Sequence, residues 1–413
     1  MATEHVLIIA VKQQHIEERR FESSLEELVS LTKTAGGTVK KIITQKRNQI
    51  EPALYMGTGK VEEIKQYIEQ LNIHLVISND ELSPGQLRNL SNHLEVRIID
   101  RSQLILDIFA RRAKTKEGQL QVELAQLEYM LPRLHGKGVE LSRLGGGIGT
   151  RGPGETKLET DQRHIRQKIH DIKRKLKVVV EQREQYRKRR KMNKVFQIAI
   201  VGYTNAGKST LFNRLTESES LEEDRLFATL DPLSRKIRLP SGFQALVTDT
   251  VGFIQELPTT LIAAFRSTLE EVTEADFLLH VVDSSDEDLQ QQQTTVLKQL
   301  KVLGADKIPM LTVYNKRDLL QESFIPMHHP NIVMSALNDG DLHKLAVQIE
   351  HILRQIWDRY VIELNPNEGK MLHRLTCETI IEDRSFDAST NTYKVYGFMR
   401  PEHPLQKLLH EHS

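Results

Sequence analysis

Gly202-Tyr203-Thr204-Asn205-Ala206-Gly207-Lys208-Ser209 follows the apolar run Val195 to Val201 and precedes Thr210-Leu211-Phe212-Asn213-Arg214-Leu215. A strand, a glycine loop and a helix in that order are the context a Walker A phosphate loop requires. Glycines at 202 and 207 let the backbone curl into a nest whose N–H groups face phosphate oxygens, and the following helix adds its N-terminal dipole. Lys208 is placed to bridge the β and γ phosphates, and the Ser209 hydroxyl to meet Mg²⁺. Residues Gly202 through Thr210 are thus the first expected nucleotide contacts, and the fold around them is α/β.

Three downstream signals narrow the nucleotide to guanine. Asp249-Thr250-Val251-Gly252 ends the strand-like Phe243 to Thr248, which sets a carboxylate toward the Mg²⁺ shell and the Gly252 N–H toward the γ-phosphate. Asn315-Lys316-Arg317-Asp318 ends the apolar run Met310 to Tyr314. The Asp318 carboxylate can accept from guanine N1–H and the exocyclic amine, donors that adenine does not present there. Sites built on such bonds reject the analogue lacking them by roughly 10⁴ to 10⁵. Ser335-Ala336-Leu337, after the strand-like Asn331 to Met334, fits a short loop whose backbone meets the guanine oxygen. Between Ser209 and Asp249, the segment Leu226-Phe227-Ala228-Thr229-Leu230-Asp231-Pro232 fits a switch loop, with Thr229 as the second Mg²⁺ hydroxyl. Phe227 and Ala228 join the expected contacts. Ser209, Thr229 and Asp249 are the expected metal ligands, and Lys208, Thr229 and Gly252 the catalytic groups.

One absence matters as much. In Ras-like GTPases a glutamine directly after Asp-x-x-Gly positions the attacking water, and here that position is Phe253. Phenylalanine cannot orient a water, so slow intrinsic hydrolysis, raised by a partner, is the expectation.

The 413 residues suffice for about three domains. A hydrophobic share of 39% and a charged share of 27% are those of an ordinary globular chain. The lone Cys377 excludes an internal disulfide and a cysteine-built zinc site, which fits a reducing compartment. No stretch approaches the ~18 consecutive apolar residues of a membrane helix, and Met1-Ala2-Thr3-Glu4-His5 opens no signal pattern. A cytoplasmic monomer with no membrane span is expected.

Along the chain, residues 1–113 alternate strand-like and helix-like runs, from Val6 to Val11 through Val96 to Ile99, and predict a small parallel α/β domain. Its Met56-Gly57-Thr58-Gly59-Lys60 is too short for a second phosphate loop. Residues 114–194 change pattern: Leu120, Leu124, Leu127 and Leu131, then Ile165, Ile169, Ile172, Leu176 and Val179, repeat at helical spacing on either side of Pro132 to Pro153. They predict an antiparallel helical hairpin with one apolar seam and a glycine-rich tip. Between Asp161 and Lys194, 14 lysines and arginines face 4 acidic residues, densest at Arg187-Lys188-Arg189-Arg190-Lys191. Such a stripe repels itself unless polyanion is near, which points to nucleic acid read through phosphate and shape. At the tip, Arg143, Gly146, Gly147, Arg151 and Lys157 are the candidate RNA contacts. Residues 195–360 form the GTPase domain, closed by a helix from Leu342 to Tyr360. Residues 361–413 form a small α/β tail with strands at Val361 to Leu364 and Tyr393 to Phe398, a helical turn near Lys370 to Leu375 and a last helix from Pro404.

These signatures resemble the HflX family of ribosome-associated GTPases. The likeness rests on the Walker A loop, Phe227-Ala228-Thr229-Leu230-Asp231-Pro232, Asp249-Thr250-Val251-Gly252-Phe253-Ile254 and the tip Gly145-Gly146-Gly147-Ile148-Gly149-Thr150-Arg151-Gly152-Pro153-Gly154-Glu155-Thr156-Lys157-Leu158. The resemblance implies binding to the large ribosomal subunit and its rRNA, a tip near the peptidyl transferase centre, GTP-dependent splitting or rescue of stalled ribosomes, and hydrolysis stimulated by the ribosome. Two other readings remain open: a GTP-switched adaptor whose hairpin binds protein, and an RNA-remodelling factor that also uses ATP.

Overall fold

The computed structural model describes residues 4–134, 157–192, 195–217, 227, 232–255, 271–320, 324–401, 403 and 405–406. The chain divides into two compact units. The first holds Met1–Gln182 together with Asp224–Asp231 and Gln255–Ser267, and the second holds Arg183–Glu223, Pro232–Ile254 and Thr268–Ser413.

The first unit is built on a parallel sheet of order β2-β1-β3-β4, with β1 at His5–Gln13, β2 at Thr38–Arg47, β3 at Leu75–Ser78 and β4 at Arg97–Asp100. Val6 to Val11 is apolar without alternation because β1 lies between two neighbours with both faces covered. Helices α1 (Glu18–Thr34), α2 (Thr58–Gln70) and α3 (Pro84–Leu94) make the crossovers. Ser83 and Gln86 start α3 with reciprocal side-chain caps while Pro84 presets its first turn. Helix α4 (Arg101–Arg112) leaves β4 through an Asp100 cap. On the same side of the sheet, the buried Arg101 guanidinium pairs with Glu27 and donates to the Ser24 carbonyl and Asn79 Oδ1.

Helix α5 (Lys116–Arg133) and the continuous α6 (Lys157–Met192) are the two expected hairpin arms. A Glu128–Lys173 ion pair of 2.8 Å ties them, and Ile172 of the predicted seam is buried. Lys157 and Arg187 to Lys191 lie on α6. The tip residues Arg143, Gly146, Gly147 and Arg151 lie outside the described residues.

The second unit carries a six-stranded sheet of order β10-β9-β8-β5-β7-β6. Its strands are β5 (Phe196–Gly202), β6 (Leu233–Arg238), β7 (Gln244–Asp249), β8 (Phe277–Asp283), β9 (Met310–Asn315) and β10 (Asn331–Val333), and only β6 runs antiparallel to its neighbour. Helices α7 (Lys208–Thr216), α8 (Leu289–Val302) and α9 (Asp339–Ile356) pack on it. The end of α9 corrects the predicted helix to Tyr360. Trp357 leaves helical geometry, and its ring meets Phe196 at 5.4 Å and Phe243 at 5.2 Å, both edge-on. From Asp358 the chain alternates as β11 (Asp358–Leu364), in a three-stranded antiparallel sheet of order β11-β13-β12. Strand β13 (Thr392–Met399) and helix α10 (Gly369–Glu378) match the expected elements in kind, whereas β12 (Ile380–Asp387) was not anticipated. The helix predicted from Pro404 falls almost wholly outside the described residues.

Removing the partner of a buried charge costs about 3–5 kcal/mol. Glu27→Ala is therefore expected to strip protection from α1, β3 and α4 in hydrogen exchange while leaving β5 to β9 unchanged.

Candidate functional site

The phosphate loop runs from the end of β5 into α7. Gly202 has φ +155° and a β-carbon there would lie 2.1 Å from the Val281 carbonyl; at Gly207, φ is +90° and a β-carbon would meet Asn315 Nδ2 at 2.2 Å. Both positions admit glycine alone, because the conformation and the space each exclude a side chain. Helix α7 has no side-chain cap at Gly207, so its first N–H groups are left for an anion. Lys208 is buried, and its ammonium donates to the Tyr203 carbonyl at 2.6 Å. Burial lowers the Lys208 pKa to about 8, with Asp249 pulling in the opposite direction.

The Asp249 motif reaches the same loop. Ser209 Oγ donates to Asp249 Oδ2 at 2.8 Å, which brings together a hydroxyl and a carboxylate, hard oxygen donors suited to Mg²⁺. A β-carbon on Gly252 would lie 2.9 Å from Lys208 Nζ, so the second glycine stands directly over the lysine. Phe253 is buried. Its backbone bridges the phosphate loop, donating to the Gly202 carbonyl at 3.1 Å and accepting from the Thr204 N–H at 2.8 Å. In the same motif Thr250 Oγ1 donates to the Ile200 carbonyl at 2.6 Å, and Val251 is buried.

At the guanine end Asn315 is buried: one Nδ2 hydrogen is donated to the Ala206 carbonyl at 3.0 Å and Oδ1 accepts from the Ala336 N–H at 2.9 Å. It braces the two loops, and the carboxamide nitrogen has a second hydrogen to donate. Lys316, in the left-handed region at φ 62°, pairs with Asp283 at 2.6 Å. Asp318 is exposed on the turn Arg317–Leu319. Because Asn315 holds the Ala336 N–H, the loop's remaining donor is Leu337 N–H, which makes only a long 3.4 Å bond to Ser335 Oγ.

Asp341 was missed by the sequence reading. Its carboxylate takes the Ser335 N–H at 3.0 Å and Arg317 at 2.8 Å, so it holds both base-side loops. The signal available was the spacing Asn338-x-x-Asp341 at a helix start, and Asn338 does cap α9. Ala228 and Thr229 lie outside the described residues. Phe227 is described and is buried, and it groups with the first unit.

Two outcomes follow. Asp318→Asn removes the charge that receives two guanine donors, and charged hydrogen bonds contribute about 1.5–3 kcal/mol each. GTP affinity measured by calorimetry is expected to fall roughly 10²- to 10⁴-fold, with ATP affinity unchanged. In the free protein Lys208 loses its charge as pH rises through about 8. Phosphate bound beside it favours the charged form, so binding takes up a proton and GTP affinity falls with rising pH, approaching tenfold per unit well above pH 8. Calorimetry in two buffers of different ionisation enthalpy at pH 9 reads that proton directly.

Comparison with known proteins bears on the whole chain. Residues 22–110 match the family model described as GTP-binding GTPase N-terminal, 112–190 the GTP-binding GTPase middle region, and 197–316 the 50S ribosome-binding GTPase. The GTPase HflX of Alkalihalophilus pseudofirmus is 54% identical over 395 residues, covering 95% of this chain and 93% of that one. The GTPase HflX of Caldanaerobacter subterraneus is 54% identical over 333 residues, at 80% and 77% coverage. That of Escherichia coli is 43% identical over 357 residues, at 85% and 84% coverage. With a phosphate loop, an acidic switch strand and a guanine-side carboxylate on one α/β sheet, the chain belongs to the HflX family of GTP-binding GTPases and carries a ribosome-binding GTPase domain.

Proposed function

We propose that this protein is a GTPase that docks on the large ribosomal subunit through its rRNA and uses GTP to split or rescue stalled ribosomes in the cytoplasm. The observation that carries the reading is the 36-residue helix α6 with its basic surplus, continuous from the glycine-rich tip to within a few residues of β5. Its length is about 54 Å at 1.5 Å per residue, enough to reach into folded RNA. Arg187 to Lys191 and the tip residues Arg143, Gly146, Gly147, Arg151 and Lys157 supply phosphate and shape contacts.

In the GTPase cycle, Lys208 offsets charge on the transferring phosphoryl group and the Gly252 N–H meets its oxygens. Asp318 and the Leu337 N–H select guanine, and Asn315 keeps their loops in register. Ser209, Asp249 and Thr229 would hold Mg²⁺, which supplies further charge neutralisation at the β and γ phosphates. Phe253 is buried in a backbone bridge and has no group to orient water, so the acceleration comes from the ribosomal partner. Such partners can supply up to about 10⁵-fold in related GTPases. The four-part organisation read from the sequence, with boundaries near 113, 194 and 360, assigns the arm and the motor to separate stretches of chain.

The test is GTP hydrolysis by the purified protein, alone and with large ribosomal subunits, before and after Gly145 to Lys157 is replaced by a short neutral linker. Strong stimulation that the replacement weakens is expected. Stimulation by neither subunit nor rRNA would favour the protein-adaptor reading. Salt dependence separates the two, because phosphate contacts lose affinity steeply with salt and an apolar seam does not.

A further inference from the structure

The second unit holds a cavity of about 190 Å³ at the end of its sheet remote from the nucleotide. Phe196 opens β5 and Ala245 lies one residue into β7, whereas Gly202 and Asp249 close those strands. At about 3.3 Å per residue, the length of β5 puts roughly 20 Å between the cavity and the phosphate loop. The floor is a cluster of three rings: Phe196, Phe243 and Trp357 meet pairwise edge-on, with centroids 5.2, 5.4 and 5.5 Å apart. One wall is Cys377 on α10, whose Sγ accepts from Gln244 Nε2 at 3.4 Å. Lys236 on β6 and Arg400 just after β13 bring positive charge to the lining. Arg400 stands 3.6 Å from Asp276, whereas the exposed Lys236 has no ion pair among the described residues. The acid in the lining, Glu378, is already answered by Arg374 at 2.9 Å and His403 Nε2 at 3.5 Å. The Leu405 N–H donates to His403 Nδ1 at 3.3 Å, so in the neutral ring the proton sits on Nε2, toward Glu378.

Size, lining and charge together define a ligand. Close-packed interiors leave few voids larger than a water, and ligand pockets combine aromatic linings with a few polar groups that fix orientation. A cavity of about 150 Å³ holds benzene, so the 190 Å³ present here holds one ring with one small substituent. The three floor rings offer edges and faces to an aromatic guest. The unanswered Lys236 charge calls for an acid group on that guest. We propose that this cavity is a binding site for a small aromatic acid, a single ring carrying one carboxylate, with the ring on Trp357 and the carboxylate at Lys236 and Arg400. The site is separate from the guanine site and independent of any ribosomal partner.

The chain has one tryptophan and one cysteine, and both line the cavity, so each reports on this site alone. With benzoate as the probe and the full-length protein, Trp357 emission should change saturably with a dissociation constant of about 1 mM, a modest affinity suited to so few atoms. At about ten times that concentration, alkylation of Cys377 by iodoacetamide should slow about tenfold. Benzamide, the neutral isostere, should bind about 3- to 10-fold more weakly, and Lys236→Ala should remove most of that difference by weakening benzoate alone. Lys236 lies outside the core, so the thermal midpoint and GTP affinity of that variant should stay unchanged. Cys377→Ser should keep the fluorescence response. Unchanged emission and unchanged alkylation at about 10 mM benzoate would overturn the site. Equal binding of benzoate and benzamide, with Lys236→Ala affecting neither, would overturn the assignment to an acid.

Discussion

The nucleotide end of the central sheet depends on one carboxamide. Asn315 is anchored at the end of β9, and its two ends are bonded to the phosphate loop at Ala206 and to the guanine-side loop at Ala336. Each bond contributes about 0.5–1.5 kcal/mol net, but breaking one buries an unpaired group at a larger cost. Gly207 yields its side-chain space to that same carboxamide. Three loops from three strand ends are thereby set at fixed spacing before any nucleotide arrives. Asp341 extends the brace outward to Ser335 and Arg317. Preorganisation of this kind lowers the cost of ordering on binding.

Legibility in the sequence tracked how strictly chemistry constrains residue type. Gly202, Gly207, Lys208, Ser209, Asp249, Gly252 and Asp318 stand out in the sequence because phosphate, metal and guanine each demand particular groups at particular spacing, and the structure sets each of them at the end of one of the apolar strands or on the loop that follows it. The division of labour within a motif was not readable. Asn315 and Thr250 stand beside contact residues in sequence, yet their side chains turn inward to Ala206, Ala336 and Ile200. Only tertiary pairing decides that. Strand β12 escaped for a related reason: Glu382, Asp383, Arg384 and Ser385 are all exposed, so no alternation marks it, and its pairing with β13 makes it a strand. Trp357 ended α9 early because two rings waited for it, Phe196 and Phe243, which are distant in sequence.

The two units share the work along the chain rather than by simple succession. Segments on either side of β6 and β7 return to the first unit, so the polypeptide crosses between units at Thr229's loop and again just past Gly252.

The backbone bridge between Phe253 and the phosphate loop has a geometric consequence. With Gly202 and Thr204 bonded to it from both directions, Phe253 rides rigidly with β5. Its buried ring prevents the bridge from twisting open. A position that in Ras-like proteins acts on water here ties the Asp249 motif to the phosphate loop through its backbone.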